Sequence, residues 1–296
     1  MSEKKPEIPA SFENARTKTA GKAAAAPKPL SIRDALYEPP GPKTRKRTAI
    51  ATGISLSALA VLILLVIRQF YITGQLAPKY WTFFARKTTW KFLGKGLLGT
   101  LEAAALAGVL AFVMGFLMML GRISRRRILR AVGTGIVEFT RGVPTLLFIY
   151  FFFLVVPRSG IKLAAIWKIA TPVAISAAGV VAEVLRSGVN AVPKGQTEAA
   201  LSLGMQHGKI FRKIVFPQAF RYITPALIAE LVIVVKDTTF SYVVNFPDLM
   251  QNAKVLISNY DALVQIYFVT AVVYILINYL LNRISVTVAD RTGTTL

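Results

Sequence analysis

Six blocks of apolar residues, each about as long as a lipid bilayer is thick, constrain this chain more than any other feature. They run over residues 49–71, 97–120, 131–156, 164–185, 223–244 and 262–281. A helix needs about 20 predominantly apolar residues to cross hydrocarbon, where every backbone polar group must be satisfied within the segment. The expected fold class is therefore an all-α membrane protein with six transmembrane helices. With 54% hydrophobic residues and a mean hydropathy of +0.53, 296 residues are too oily for a soluble enzyme.

Residues 1–47 differ from the rest. They are poor in bulky apolar side chains and rich in Lys, Pro and Ala, and they read as a disordered basic tail too long for the n-region of a signal peptide. A first membrane helix over 48–72 follows. The net charge of +22 raises the question of nucleic acid, which the positions of the charges answer. With the N-terminus inside, the inner segments 29–47, 121–130, 186–221 and 282–296 hold 18 Lys and Arg, and the outer ones 8. The opposite orientation puts the run from Gly121 to Arg127 (GRISRRR) on the translocated side. The positive-inside bias thus expects a multi-pass protein of the bacterial plasma membrane with both termini cytoplasmic, its basic tail beside anionic lipid and no nucleic-acid partner.

Some motifs carry no chemistry here. Gly94, Gly96 and Gly99 match G-x-G-x-x-G, but that fingerprint needs a strand and a βαβ unit around it. Opening a membrane helix, the glycines are better read as small residues that let helices approach closely. There is no Walker A sequence, so ATP binding by a P-loop is not this chain's own work. The absence of Cys excludes disulfides, thiol catalysis and iron–sulfur clusters. The single histidine, His207, lies in a polar connection, where a helix-end or surface role is expected; no metal and no cofactor are expected.

The longest inner connection is the informative one. Residues 188–217 read as two short helices under the membrane. The first is expected to be capped by Thr197, with Glu198 against its positive N-terminal dipole. Ala199 and Ala200 leave a shallow surface for a second protein to approach, and Gly204 suits the left-handed turn that stops such a helix. The second, from about Lys209, sets Ile210, Phe211, Ile214 and Val215 against Lys209, Arg212 and Lys213, and Pro217 is expected to end it. Periodicity alone leaves an ordinary interfacial hairpin equally open.

Glu198-Ala199-Ala200, then Gly204, then Ile214 to Pro217 (IVFP) resembles the EAA loop of ABC importer permeases. Ala182-Glu183, Arg186-Ser187-Gly188, Gly195-Gln196, Pro217-Gln218-Ala219 and Pro225 resemble the polar amino-acid permeases, the histidine, glutamine, glutamate, arginine and opine group. So do Glu138, Arg141, Gly142 and Pro144 on the third span and Lys236-Asp237-Thr238-Thr239 on the fifth. Phe216 and Phe240 stand where that family usually has Leu, both apolar exchanges. Gln75-Leu76 and the run from Trp81 to Phe84 look most like glutamate-uptake permeases of Gram-positive type. The resemblance covers about residues 95–285, with 286–296 left as a cytoplasmic C-terminal tail.

The resemblance implies a type I ABC importer transmembrane fold, five core helices plus one N-terminal helix. It also implies that Glu198, Ala199, Ala200 and Gly204 couple the chain to cytosolic ATP-binding subunits. An extracytoplasmic amino-acid-binding protein and a second permease subunit, homologous or identical, complete the expected partners, beside the amino-acid substrate and membrane lipid. No catalysis is expected of the chain itself.

Ionisable groups inside a membrane are costly and default to functional hypotheses. At about 100° per residue, Glu230, Asp237, Ser241 and Asn245 are expected to form one polar stripe along the fifth helix, read as lining a substrate path. Lys236 adjoins Asp237 in sequence, so the two point apart. Glu138 with Arg141, and Glu183 with Arg186, stand three apart and are read as ion pairs. An amino acid carries charges of both signs, and a glutamate adds a carboxylate for which Arg141 is the available cation unless Glu138 consumes it. Glu102 has no evident partner in the sequence. The substrate expected is glutamate, with glutamine, arginine or histidine as alternatives. A gradient-driven secondary transporter is a rival, though no inverted repeat is evident. A membrane-embedded hydrolase finds too few bases.

Overall fold

The computed structural model describes residues 41–292. The expected tail 1–47 therefore lies outside the described residues except for its last seven, and the C-terminal tail except for 286–292. The chain divides into two compact units, residues 1–69 and 70–296.

Helix α1, Pro42–Ile72, makes up nearly all that is described of the first unit. It opens on a proline, whose missing N–H would have had no intrahelical acceptor there anyway. Its large apolar side chains from Ile50 to Ile67 are 44–65% exposed on every side, the distribution of a helix solvated by lipid rather than by water.

The second unit is built on two long helices, α2 (Lys87–Arg122) and α5 (Ala165–Ala191), which pack along their lengths. The contact is lined by small residues: Ala103, Ala104, Ala107 and Ala111 from α2, and Ala170, Ala174, Ala177, Ala178 and Ala182 from α5, all buried. At Gly115 a β-carbon would lie 2.8 Å from the Ala178 carbonyl oxygen, so the two backbones nearly touch. Lipid tails give no hydrophobic force between helices, and dispersion at such close range replaces it.

The third apolar block is not one helix. It breaks into α3 (Arg127–Gly142) and a second arm, Thr145–Ser159, bent by 94°. The arm begins as α4, Thr145–Tyr150, and loosens into a π-turn and a 3-10 turn. Pro144 explains the break: the residue before a proline is driven out of helical geometry, and Val143 stands at φ −90°, ψ 125°. The expectation of a continuous span over 131–156 is corrected accordingly.

After α5 come α6 (Lys194–Ser202) and α7 (His207–Ile210). A π-turn over Phe211–Val215 joins α7 to α8 (Phe216–Asp237) without a break. Pro217 thus does not end the second short helix. It sits in the first turn of α8, where its missing donor is tolerated because the π-turn has already reset the hydrogen-bond register. A 3-10 turn, Thr238–Val243, leads to α9 (Leu249–Tyr260) and α10 (Leu263–Thr292). Five helices are long and apolar enough to cross a membrane, six with the bent pair, and no strand occurs among the described residues.

The glycine-rich start of α2 receives α9. A β-carbon at Gly96 would lie 2.7 Å from the Asp248 carbonyl, and one at Gly99 would strike the Pro247 carbonyl, whereas Gly94 faces open space. Thr100 Oγ1 accepts from the Leu249 amide at 3.1 Å, and Asn252 Nδ2 donates to the Phe92 carbonyl at 2.8 Å. Close packing, not phosphate binding, is what these glycines serve.

Candidate functional site: a helical hairpin, an ion cluster and a polar helix

The hairpin over residues 192–210 is set by its backbone. Pro193 fixes the entry and α6 starts at Lys194, three residues before the expected cap. Thr197 lies inside the helix and makes no capping bond, and Glu198 stands in the second turn, beyond the strongest part of the dipole. The exit is as expected. Gly204 is left-handed at φ 74°. Its amide donates to the Leu201 carbonyl at 2.9 Å, and that of Met205 to Ala200 at 3.1 Å, the paired bonds of a Schellman stop. Beneath the turn, Ala200, Val192, Ile210, Val215 and Ala219 form a small buried cluster with Met205 packed on it. The outer surface is the reverse: Glu198, Ala199, Leu201 and Ser202 are exposed, and Leu203 at the tip is 82% exposed. A leucine held out by a rigid turn is an apolar knob with no cover in this chain. His207 is exposed at the start of α7, its Nε2 2.8 Å from Arg125 Nη2.

A cluster of five charges joins three helices where α2 ends. Glu183 accepts from Arg122 through Oε1, from Arg141 through the same oxygen at 3.4 Å, and from Arg186 Nε through Oε2 at 2.9 Å. Glu138 is 3.5 Å from Arg122 and 3.8 Å from Arg141. Both expected i,i+3 pairs are present. Arg122, at the centre, shows in the sequence only as part of the orienting charge, because its partners lie 16 and 61 residues away. Arg141 is shared by both glutamates and its side chain remains 43% exposed.

The polar stripe holds over α8 and no further. Glu230 is 6% exposed and edges an apolar cavity of about 410 Å³, lined by Gly108, Phe112, Val181, Leu227 and Val234, with no hydrogen-bond or ion-pair partner among the described residues. Asp237 Oδ2 accepts from Thr145 Oγ1 at 2.9 Å, and Thr145 lies 2.9 Å from Ser176 Oγ. Past Asp237 the chain tightens to a 3-10 turn, so the 100° increment no longer applies. Ser241 is fully buried there, and Asn245 stands at φ 53° with Oδ1 3.4 Å from Gln251 Nε2. Lys236 is exposed without an acidic partner among the described residues. Glu102 is exposed on α2 beside the hollow that holds Lys95 and Asn252.

One buried group escaped sequence reading. Asp248 caps α9, accepting from the Gln251 amide at 2.7 Å and from the Tyr274 hydroxyl at 3.3 Å. Burial pushes its carboxyl above the ordinary value of 3.8, against the opposing pull of those bonds. Asp three residues before Gln, ahead of an apolar run, was the available signal.

Comparison with known proteins agrees with this geometry. Residues 107–293 match the family described as binding-protein-dependent transport system inner membrane components. The glutamate transport system permease protein GluD of Corynebacterium glutamicum is 35% identical over 72% of this chain and 79% of its own length. The probable glutamine ABC transporter permease protein GlnP of Bacillus subtilis is 31% identical over 64% and 89%. Among solved structures, a chain from the crystal structure of an amino acid ABC transporter with histidines superposes with a TM-score of 0.66 at 28% identity, covering 71% of this chain and 98% of that one. A chain of the MetNI methionine ABC transporter in an inward-facing conformation shares the fold, with a TM-score of 0.56 at 20% identity over 69% and 99%.

Proposed function

The chain belongs to the family of binding-protein-dependent transport system inner membrane components, and from that premise we propose that it imports a polar amino acid, glutamate by preference, across the bacterial plasma membrane. As a transport-family member with the type I importer fold it is a multi-pass permease and not an enzyme. ATP hydrolysis belongs to cytosolic partner subunits, and an extracytoplasmic binding protein delivers the substrate to a pair of permease subunits. Residues 95–285 form the permease domain, and the hairpin within 188–217 is its coupling element. The observation that carries this reading is the hairpin tip, where Leu203 is held out to water by the left-handed Gly204. Glu198, Ala199 and Gly204 form the docking surface around it, whereas Ala200, expected there too, is only 3% exposed because it packs into the cluster beneath the turn.

Glu230, Lys236 and Asp237 are the residues proposed for the substrate path; Ser241 is fully buried beyond the end of the stripe and Arg141 is held by Glu138 and Glu183. Glutamate is favoured because the relative of Corynebacterium glutamicum is named for it and because the exposed Lys236 has no acidic partner among the described residues. Glutamine is the second reading, favoured by the Bacillus subtilis relative. Competition by unlabelled amino acids against labelled glutamate, in proteoliposomes holding the whole transporter, tests the choice: glutamate is expected to compete best, and preference for glutamine or arginine removes the acidic-substrate part.

Orientation has its own test. The chain has no Cys, so Ser159→Cys and Asn259→Cys should react with an impermeant thiol reagent in whole cells, and Ser202→Cys should not. Labelling of Ser202→Cys from outside reverses the proposed topology.

A further inference from the structure

Of the sixteen residues of α3, only Gly133, Val137 and Thr140 are buried. At Gly133 the backbone comes close to Gly121 and Arg122, where a β-carbon would lie 3.0 Å from the Arg122 amide nitrogen. The Gly133 contact brings no side-chain area, which leaves Val137, fully buried in the main core, as the one large apolar side chain that α3 buries completely. Charge does the rest. Arg122 comes from α2, Arg141 from α3 and Arg186 from α5, and all three guanidinium groups converge on Glu183. The other carboxylate, Glu138, reaches its arginines at 3.5 and 3.8 Å and has a 58% exposed side chain, where water competes for it. Directly past this anchor the chain bends at Val143 and Pro144, and beyond the bend Thr145 is tied to Ser176 and Asp237. The two arms of the broken span thus have separate polar anchors, with Val143 and Pro144 between them and an edge-to-face contact of Phe139 with Phe148, centroids 6.0 Å apart, across the bend.

We propose that Glu183 is the positioning residue of the broken span: its one carboxylate docks α3 onto α2 and α5 and so fixes the angle from which Val143 and Pro144 bend. The cluster holds three arginines and two glutamates. Neutralising Glu183 leaves three guanidinium groups facing one exposed carboxylate, and their repulsion drives α3 away from the other two helices. A consequence for transport rests on the importer reading; the position of α3 does not.

The absence of Cys makes the test direct. Ile136→Cys on the exposed face of α3 and Asn190→Cys at the exposed end of α5 carry spin labels, and pulsed electron resonance reads their separation in the full chain in lipid nanodiscs. One distance is expected with Glu183 present. In the Glu183→Gln background a second, longer distance is expected, with the ratio of the two shifted by roughly tenfold. Raising the salt concentration should shrink that second population, because screening weakens repulsion between arginines but does not repair a misfolded helix. A single unchanged distance in Glu183→Gln overturns the proposal, and so does a second population indifferent to salt. If Glu183→Gln does not assemble, Arg141→Gln removes only the half-exposed link from α3: a broadened distance is expected, and an unchanged one overturns the proposal. The distance is read without substrate, so failure of uptake in the native chain contradicts the importer reading alone.

Discussion

The hairpin over residues 192–210 and the broken third span both hold a short helix against the long ones, and they do it with different forces. In the hairpin the work is local: a proline at entry, a left-handed glycine at exit, two backbone hydrogen bonds and a cluster of small apolar side chains beneath. In the broken span it is remote: a carboxylate on α5 gathers arginines from positions 61, 42 and 3 residues away. Local devices make a part rigid, as the proposed docking surface requires. Charge devices are reversible and responsive to water and salt.

That contrast can be broken at either end. The largest effect is expected from Arg122→Met, whose side chain is only 13% exposed. It strips Glu183 of its most buried partner and should cost about 3 kcal/mol, read as a clear fall in the melting temperature of the detergent-solubilised protein. Gly204→Ala should cost less, about 1–2 kcal/mol, because a β-carbon opposes the left-handed turn while the space around it is open. Limited proteolysis should show that loss confined to the hairpin. Arg141→Gln, at a half-exposed position, should change stability by no more than about 1 kcal/mol, and less at high salt. A larger loss there would mean that α3 is held by charge more tightly than exposure implies.

The smallest effect sharpens the comparison by leaving both regions alone. Folding raises the pKa of Asp248, so the folded chain binds its proton more tightly than the unfolded one does. The group therefore contributes stability in acid and loses it as pH rises from 3.8 through the higher folded value. Asp248→Asn, which keeps a capping side chain, should gain on the native protein as pH rises from 3.8 through the higher folded value, and the gap should then level off. Melting curves at several pH values measure it, and a gap that does not move with pH would contradict the assigned burial effect.

The same division between local and remote explains what sequence could reveal. The membrane helices, the left-handed Gly204 and the i,i+3 pairs were legible because each depends on residues close together in the chain. The close approach of α2 and α9 was half legible: Gly96 and Gly99 announced small-residue packing but not that the Pro247–Asp248 backbone would fill the space. Pro144 and Pro217 were misjudged in opposite directions. Both were visible, but whether a proline breaks a helix depends on how neighbouring turns rearrange, and only at Pro217 did a π-turn absorb it. Arg122 could not be singled out among the arginines near it until Glu183 was seen beside it. The stripe on α8 extended only as far as α-helical pitch itself, which ends at Asp237.

In the proposed function the hairpin tip passes the work of ATP hydrolysis to the membrane helices. Leu203→Asp tests it most directly, since Leu203 is 82% exposed and its replacement disturbs no packing within the chain. In proteoliposomes holding the complete transporter, ATP hydrolysis and amino-acid uptake are measured side by side. Uptake per ATP hydrolysed should fall by at least about tenfold while the melting temperature of the permease stays unchanged, a charged group at a docking knob costing more than about 1.4 kcal/mol of contact. Uptake per ATP equal to that of the native protein would contradict the claim.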